Sequence, residues 1–250
     1  VVVVAAGGCG CKFANRYPGD DVICVGSSLD LSYLERDDVP RIRVEAGSPT
    51  GAHRDHTRAF KQLKEVDENR EKIDKVLSLA RDMVRKRKRV PVVAFGLGGA
   101  VGLAMARLIA DHVPCIWAMV LPAPNEPEAA LGEEKFEFLM RARSSERCLV
   151  VARSSRYPED KETFDGLAAD LVSLPRDLDL VQNWAKMDAH RLDGKVMSLD
   201  KIRNTISMYA ERARAEGVVV EDEEVKQMIE KLAEEEGEEE TEDWIKRIGV

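Results

Sequence analysis

The residues with chemical potential come first in the chain. "VVVVAAGGCGCKFANR" runs four valines into Gly7, Gly8, Gly10 and the thiols of Cys9 and Cys11. Small residues at the end of a buried strand suit a phosphate loop, a metal or redox site, or a plain tight turn. Metal fits poorly. Cys9 and Cys11 are separated by one residue, whereas zinc takes about four ligands, with paired cysteines about two to four apart, and no second pair follows. His53 and His56 sit three apart in "HRDH" without an evident third ligand, and read as an exposed helix start close to a phosphate. No metal site is assigned. The run "RKRKR" (85–89) suits the solvated C-terminal end of a helix, where cations meet the helix dipole favourably.

Further candidates appear once the elements carrying them are laid out. Apolar runs read as strands at 1–6, 21–26, 41–47, 90–96, 114–121 and 147–153. Helical periodicity falls between them: a short helix after the first glycines, a long one over 52–88 carrying Phe60, Leu63, Val66, Ile73, Val76 and Leu77, then 102–112 and 127–144. The pattern weakens after 155, with helices over 160–172 and 177–191, and one from a Ser198 cap to about Arg214. "GVVVE" (217–221) could be a short strand, and 222–236 and 241–247 are acidic helix candidates. Strands apolar on both sides alternating with helices specify an α/β fold, a mainly parallel Rossmann-like sheet with helices on both faces and a small helical C-terminal appendage. The expected divisions are 1–155 for a nucleotide-binding domain, 156–215 for a central helical region and 216–250 for an acidic tail.

Composition narrows the class. The 250 residues are 44% hydrophobic, 5% aromatic and 34% charged, a globular balance. The net charge of −8 is concentrated: residues 221–243 hold 13 acids and 2 bases and residues 244–250 add two bases, which leaves residues 1–220 at +1. A near-neutral body on an acidic chain argues against a general nucleic-acid binder. The tail offers a protein partner or a route to self-association. Five irregularly spaced cysteines, with Cys24, Cys115 and Cys148 in apolar runs, point to a reducing, cytoplasmic compartment. No run of about 18 apolar residues occurs, so no membrane span is expected. The N-terminal apolar stretch is short and lacks a basic flank, unlike a signal peptide. The chain does not open on Met, which leaves room for residues upstream.

Ligands of parallel sheets sit at the carboxyl ends of the strands. There this chain places "GGCGC", "GSSLD", "AGSPTG", "GLGGAVG" and "PAPNEPE", glycine, serine or proline at every strand end. The order and spacing of these loops resemble the nucleotide-binding domain of the tubulin/FtsZ superfamily of GTPases, over residues 1–155 and more loosely 155–210. "GGCGCKFANR" resembles the first phosphate loop, "CVGSSLDLSYL" the second with its Asp30, and "EAGSPTGAHRD" the third. "FGLGGAVGLAMARLIAD" stands in the place of the tubulin signature, and "AMVLPAPNEPE" resembles the ribose-contacting fifth loop. The resemblance implies a guanine nucleotide, GTP or GDP, with Mg2+ as a candidate companion. It implies a cradle of Gly7, Gly8, Gly10, Cys11, Asn15, Asp30, Gly47, Ser48, Gly98, Gly99, Ala100, Val101 and Gly102, with Pro122 and Asn125 towards ribose.

Departures from the family pattern point away from turnover. The signature loop, Gly96-Leu97-Gly98-Gly99-Ala100-Val101-Gly102, has lost its threonine hydroxyls. In the seventh-loop stretch "SLDKIRN", Asp200 matches the first catalytic acid and Arg203 stands at the second. The family's second domain needs on the order of a hundred further residues, more than remain here. The expectation is nucleotide binding with weak or absent GTPase activity and no tubulin-like filament. Two alternatives stay open. One is a NAD-type enzyme with Asp30 on a ribose hydroxyl. The other is a nucleotide-free scaffold whose cradle is blocked by side chains such as Leu97 or Val101.

Overall fold

A computed structural model describes residues 3–46, 55–154 and 161–217. All of them lie in one unit, Val1–Val218. Gly47, Ser48, His53, the 217–221 strand (Gly217 apart) and the acidic helices and tail of 221–250 fall outside the described residues.

The apolar runs form six strands, β1 (Val3–Ala6), β2 (Val22–Gly26), β3 (Arg41–Arg43), β4 (Val92–Gly96), β5 (Cys115–Leu121) and β6 (Arg147–Arg153), and two further short strands follow, β7 (His190–Leu192) and β8 (Lys195–Met197). They make one sheet in the order β3-β2-β1-β4-β5-β6-β7-β8. Every pairing is parallel except the antiparallel β7–β8 edge. The helices are α1 (Gly7–Arg16), α2 (Ser28–Ser32), α3 (His56–Glu65), α4 (Asp67–Arg87), α5 (Val101–Ala110), α6 (Gly132–Met140), α7 (Lys161–Ser173), α8 (Leu178–Lys186) and α9 (Leu199–Ala215).

The two-residue period of the strands sorts their side chains into two cores. Val4, Ala6, Val93, Phe95, Trp117, Met119, Leu149 and Val151 face the layer that receives residues of α3, α4, α5, α6 and α9. Val3, Ala5, Val92, Ala94, Ile116, Ala118, Cys148 and Val150 face the layer of α1, α2, α7 and α8. Strands buried on both faces have no polar alternation, which is why these segments read as continuous apolar runs. The Trp117 indole N–H, buried in the first layer, donates to the Ala106 carbonyl at 3.2 Å. Ser198 caps α9 as expected, its Oγ accepting from Lys201 N at 3.4 Å.

Three expectations change. The helix expected over 52–88 is two helices, broken at Val66 (φ −78°, ψ 122°), which ends α3 and begins α4. The break is held by Asn69, fully buried in the first turn of α4. Its amide accepts from Glu45 N at 2.7 Å and donates to Glu45 O at 2.7 Å and Gln62 O at 3.1 Å. These bonds tie the chain leaving β3 to the helix junction, which a straight helix could not reach. Second, the helix expected over 177–191 stops at Lys186, and a hairpin follows that periodicity did not reveal. Its turn is Asp193-Gly194, both at positive φ (47° and 75°), the residues a two-residue hairpin turn favours. The hairpin makes residues 156–217 contribute two strands to the same sheet. Third, His56 is no exposed helix start: it is buried, with its ring edge-on to Phe138 at 4.6 Å.

Candidate nucleotide site at the sheet edge

Parallel pairing brings the loops after β1, β2, β4, β5 and β6 to one edge. The strand order reverses between β1 and β4, and α1 and α5 leave this point on opposite faces of the sheet. Such a crevice is where α/β sheets bind ligands.

Glycine is required here for close approach. Gly7 has φ +70°, and a Cβ on it would lie 2.9 Å from Gly102 N. A Cβ on Gly102 would lie 2.5 Å from the Ala6 carbonyl oxygen. A Cβ on Gly10 would meet Ala5 C and Ala94 O, both at 2.7 Å. The first-loop and signature-loop glycines thus bring the N-termini of two helices together at the end of the sheet. Neither N-cap residue, Ala6 nor Ala100, carries a capping side chain. First-turn N–H groups of a helix need an acceptor from elsewhere and attract anions.

At α1 an acceptor is in place. Asp30 Oδ1 accepts from Gly8 N at 2.8 Å, while Oδ2 accepts from Ser27 N at 2.9 Å and Ser27 Oγ at 2.8 Å. Ser27 Oγ in turn accepts from Asp30 N, completing a capping box at α2. Burial pushes the Asp30 carboxyl above the usual carboxylate range, and the hydrogen bonds from Ser27 and Gly8 pull it back. Asn15 is also committed: its Nδ2 donates to Tyr33 O at 2.8 Å and its Oδ1 accepts from Glu35 N at 2.9 Å. Both residues fasten the α2 segment to α1.

Leu97 and Val101 are both buried in the core layer that receives α5. Gly98 lies against Glu128, whose Cβ and Cγ stand 2.8 Å from where a glycine Cβ would be. The Gly98 carbonyl accepts a hydrogen bond from Lys135 Nζ, a fully buried lysine. Periodicity offered a signal for it: Lys135 shares the buried face of α6 with Phe138 and Leu139, at spacings of three and four. A second residue missing from the sequence reading is Lys12. It lies just after the glycine cluster, with its ammonium 4.4 Å from the Tyr33 ring centroid. Burial lowers its pKa below the ordinary lysine value, and the neighbouring Cys9 and Glu126 oppose that shift.

The cysteines are packing residues. Burial pushes the Cys9 thiol up to about 12. The Cys24 thiol beside Cys11, then burial, push Cys11 far above the ordinary thiol range, leaving neither as a thiolate near neutrality. Among the described residues no group of three or more His, Cys, Asp or Glu is placed to hold a metal ion.

Beyond β5 the edge opens. A cleft of about 630 Å³ is lined by Ala123, Pro124, Asn125, Arg153, Ser154, Asp193, Tyr209 and Arg212. Ser154 is 5% exposed, and its Oγ makes no hydrogen bond. The Arg153–Asp193 ion pair divides this cleft from a second, of about 380 Å³, beside α7. Pro122 lines a small void with Leu97, Ile206 and Tyr209. Asp200 is apart from all of these, exposed on the first turn of α9 with Arg203 NH1 at 3.5 Å. Tyr209 and Arg212 carried no sequence signal, because α9 reads as an ordinary amphipathic helix.

No family model matches the sequence, and no curated protein sequence matches it. Solved structures do. CetZ from Methanosaeta thermophila strain DSM 6194 superposes with TM-score 0.51 at 14% identity, over 74% of this chain and 58% of that one. CetZ2 from Haloferax volcanii, in a GTPγS-bound protofilament, gives TM-score 0.51 at 16% identity, over 82% of this chain and 62% of that one. The chain spans about three fifths of the length of either. It has the tubulin/FtsZ GTPase-domain fold in a strongly diverged form.

Proposed function

We propose that this protein binds a guanine nucleotide at the C-terminal edge of its sheet and hydrolyses it slowly or not at all. The observation that carries the reading is the meeting of the two glycine loops, Gly7 against Gly102, at the strand-order reversal. Helix N-termini converge there, as a phosphate chain requires. Gly98, Gly99, Ala100, Val101 and Gly102 carry the phosphates in this reading, with Lys12 as the nearby cation. Asn125, Ser154, Tyr209 and Arg212 receive the nucleoside in the open cleft. Gly47 and Ser48 complete the cradle by resemblance.

Slow hydrolysis follows from missing chemistry. A positioned water needs a base beside it, and Arg203 stands where the resemblance asks for the second acid, with Asp200 drawn to it. Nucleotide-driven assembly of the tubulin type is not part of this reading. The acidic 221–243 segment remains the proposed surface for a protein partner or self-association, in a cytoplasmic setting that keeps five free thiols reduced.

Calorimetric titration with GTP, GDP and NAD tests the proposal. Micromolar binding of GTP or GDP supports it, and no heat with any nucleotide refutes it. Preferential NAD binding would favour a dinucleotide enzyme, against which stands the engagement of Asp30 with Gly8 and Ser27 rather than with an open crevice.

A further inference from the structure

Of the two helix N-termini that meet at the crevice, one is already filled. Gly8 N–H belongs to the first turn of α1, where a phosphate oxygen would be expected, and Asp30 Oδ1 holds it at 2.8 Å. The half-buried carboxylate is held by neighbours on several sides. Gly26 leaves room for it only by lacking a side chain, since a Cβ there would lie 2.5 Å from Asp30 Cβ. Ser27 satisfies the second oxygen twice. Tyr33 covers Gly8, whose Cβ would lie 3.0 Å from the ring, and is fastened in turn by Lys12 and Asn15. A half-buried carboxylate accepting charge-assisted hydrogen bonds at a helix N-terminus does what a bound phosphate does there. The N-cap residue of α5, Ala100, supplies no side-chain hydrogen bond to its first turn.

We propose that Asp30 sets the affinity of the nucleotide site by acting as a resident anion: it occupies the α1 phosphate position and competes with the phosphate chain for Gly8 N–H. The inference rests on the nucleotide reading for its consequence, and on the Asp30–Gly8–Ser27 geometry for its mechanism. It assigns the phosphates chiefly to the α5 loop and makes binding weaker than the glycine content of the loops suggests. Folding of α1 is then independent of any bound nucleotide.

The test uses the full chain as wild type, Asp30→Ala and Asp30→Asn. Melting temperatures are measured with and without inorganic pyrophosphate, against sodium chloride at matched ionic strength, and GTP affinity is measured in parallel. Pyrophosphate should raise the melting temperature of Asp30→Ala and leave wild type nearly unchanged. Asp30→Ala should bind GTP about tenfold more tightly, the effect of one favourably placed charge at a helix end. Asp30→Asn, which keeps an acceptor for Gly8 and loses the charge, should fall between. Equal pyrophosphate responses in wild type and variant overturn the proposal and leave Asp30 a structural cap. If Asp30→Ala does not fold, Asp30→Asn carries the comparison under the same criterion. Pyrophosphate rescue without GTP binding by any form would remove the nucleotide reading alone. GTP binding by wild type with no gain in the variants would remove this one alone.

Discussion

Replacing Gly10 by alanine should destabilise the protein, although alanine is the better helix former. In α1 the added Cβ would lie 2.7 Å from Ala5 C and 2.7 Å from Ala94 O, well inside ordinary contact. Both obstacles are backbone atoms of adjacent central strands, β1 and β4, and no rotamer can relieve them. Overpacking of this kind costs about 1–3 kcal/mol, and the rigidity of the obstacle places Gly10 at the upper end. Helix propensity returns about 1 kcal/mol. The net loss is about 1–2 kcal/mol, or a fall in Tm of about 2–8 °C for a chain of this size. Gly166 in α7 is the control, because nothing lies within 4 Å of its Cβ position. There only the propensity gain operates, and Gly166→Ala should raise Tm by about 2–4 °C. Urea unfolding followed by circular dichroism, with parallel thermal melts, reads both. Opposite signs are expected from one substitution type in two helices. A Gly10→Ala protein as stable as wild type would falsify the claim that the missing side chain lets α1 lie against the sheet. The same substitution moves α1, whose Gly7 packs on Gly102 of the loop assigned to the phosphates, so GTP affinity should fall with it, while Gly166→Ala should leave affinity unchanged.

Asn69→Ala should cost about 2–3 kcal/mol, because it strips partners from Glu45 N, Glu45 O and Gln62 O at a buried junction. Urea midpoints give the loss, and faster hydrogen exchange at the Glu45 amide locates it. Stability should also decline as pH falls below about 6.5, the ordinary histidine value. Burial lowers the pKa of His56, His112 and His190, outweighing the opposing pull of Asp188 at His190. The unfolded chain therefore takes up protons first; the stability is full above that pH and is lost as pH drops towards the folded values. His190 Nδ1 accepts from Leu149 N at 3.2 Å, so His190→Asn, which offers an acceptor that does not titrate, should flatten the slope between pH 7.5 and 5. An unchanged slope in urea titrations would exclude His190 as a contributor. Lys12→Gln should weaken GTP binding several-fold with Tm little changed, and equal affinity by fluorescence titration would remove Lys12 from the site.

The limits of legibility follow from particular residues. "VVVV" and "CIWAMVL" announced central strands because burial on both faces leaves no other pattern, and Ser198 announced α9 because a cap acts on its own first turn. The glycine loops could be placed at strand ends, and their order resembled one GTPase superfamily whose fold the solved structures share. Val66 gave no warning of a helix break, since the cause is Asn69 reaching 24 residues back to Glu45. The Asp193-Gly194 turn was readable, but its three-residue strands are too short for periodicity to register.

By itself the sequence determined the alternation of strands and helices, the two apolar layers and the loops able to approach a phosphate. These depend on residue type and short spacing, and a strand or helix face repeats within a few residues. Only the tertiary structure decided what meets at the edge of the sheet. Asp30 reaches Gly8 across 22 residues, Lys135 reaches Gly98 across 37, and Tyr209 and Arg212 join Asn125 and Ser154 in one cleft. Such encounters are set by how whole helices pack on the sheet, and Asp30 reads the same in sequence whether its carboxylate awaits a ligand or already stands in for one.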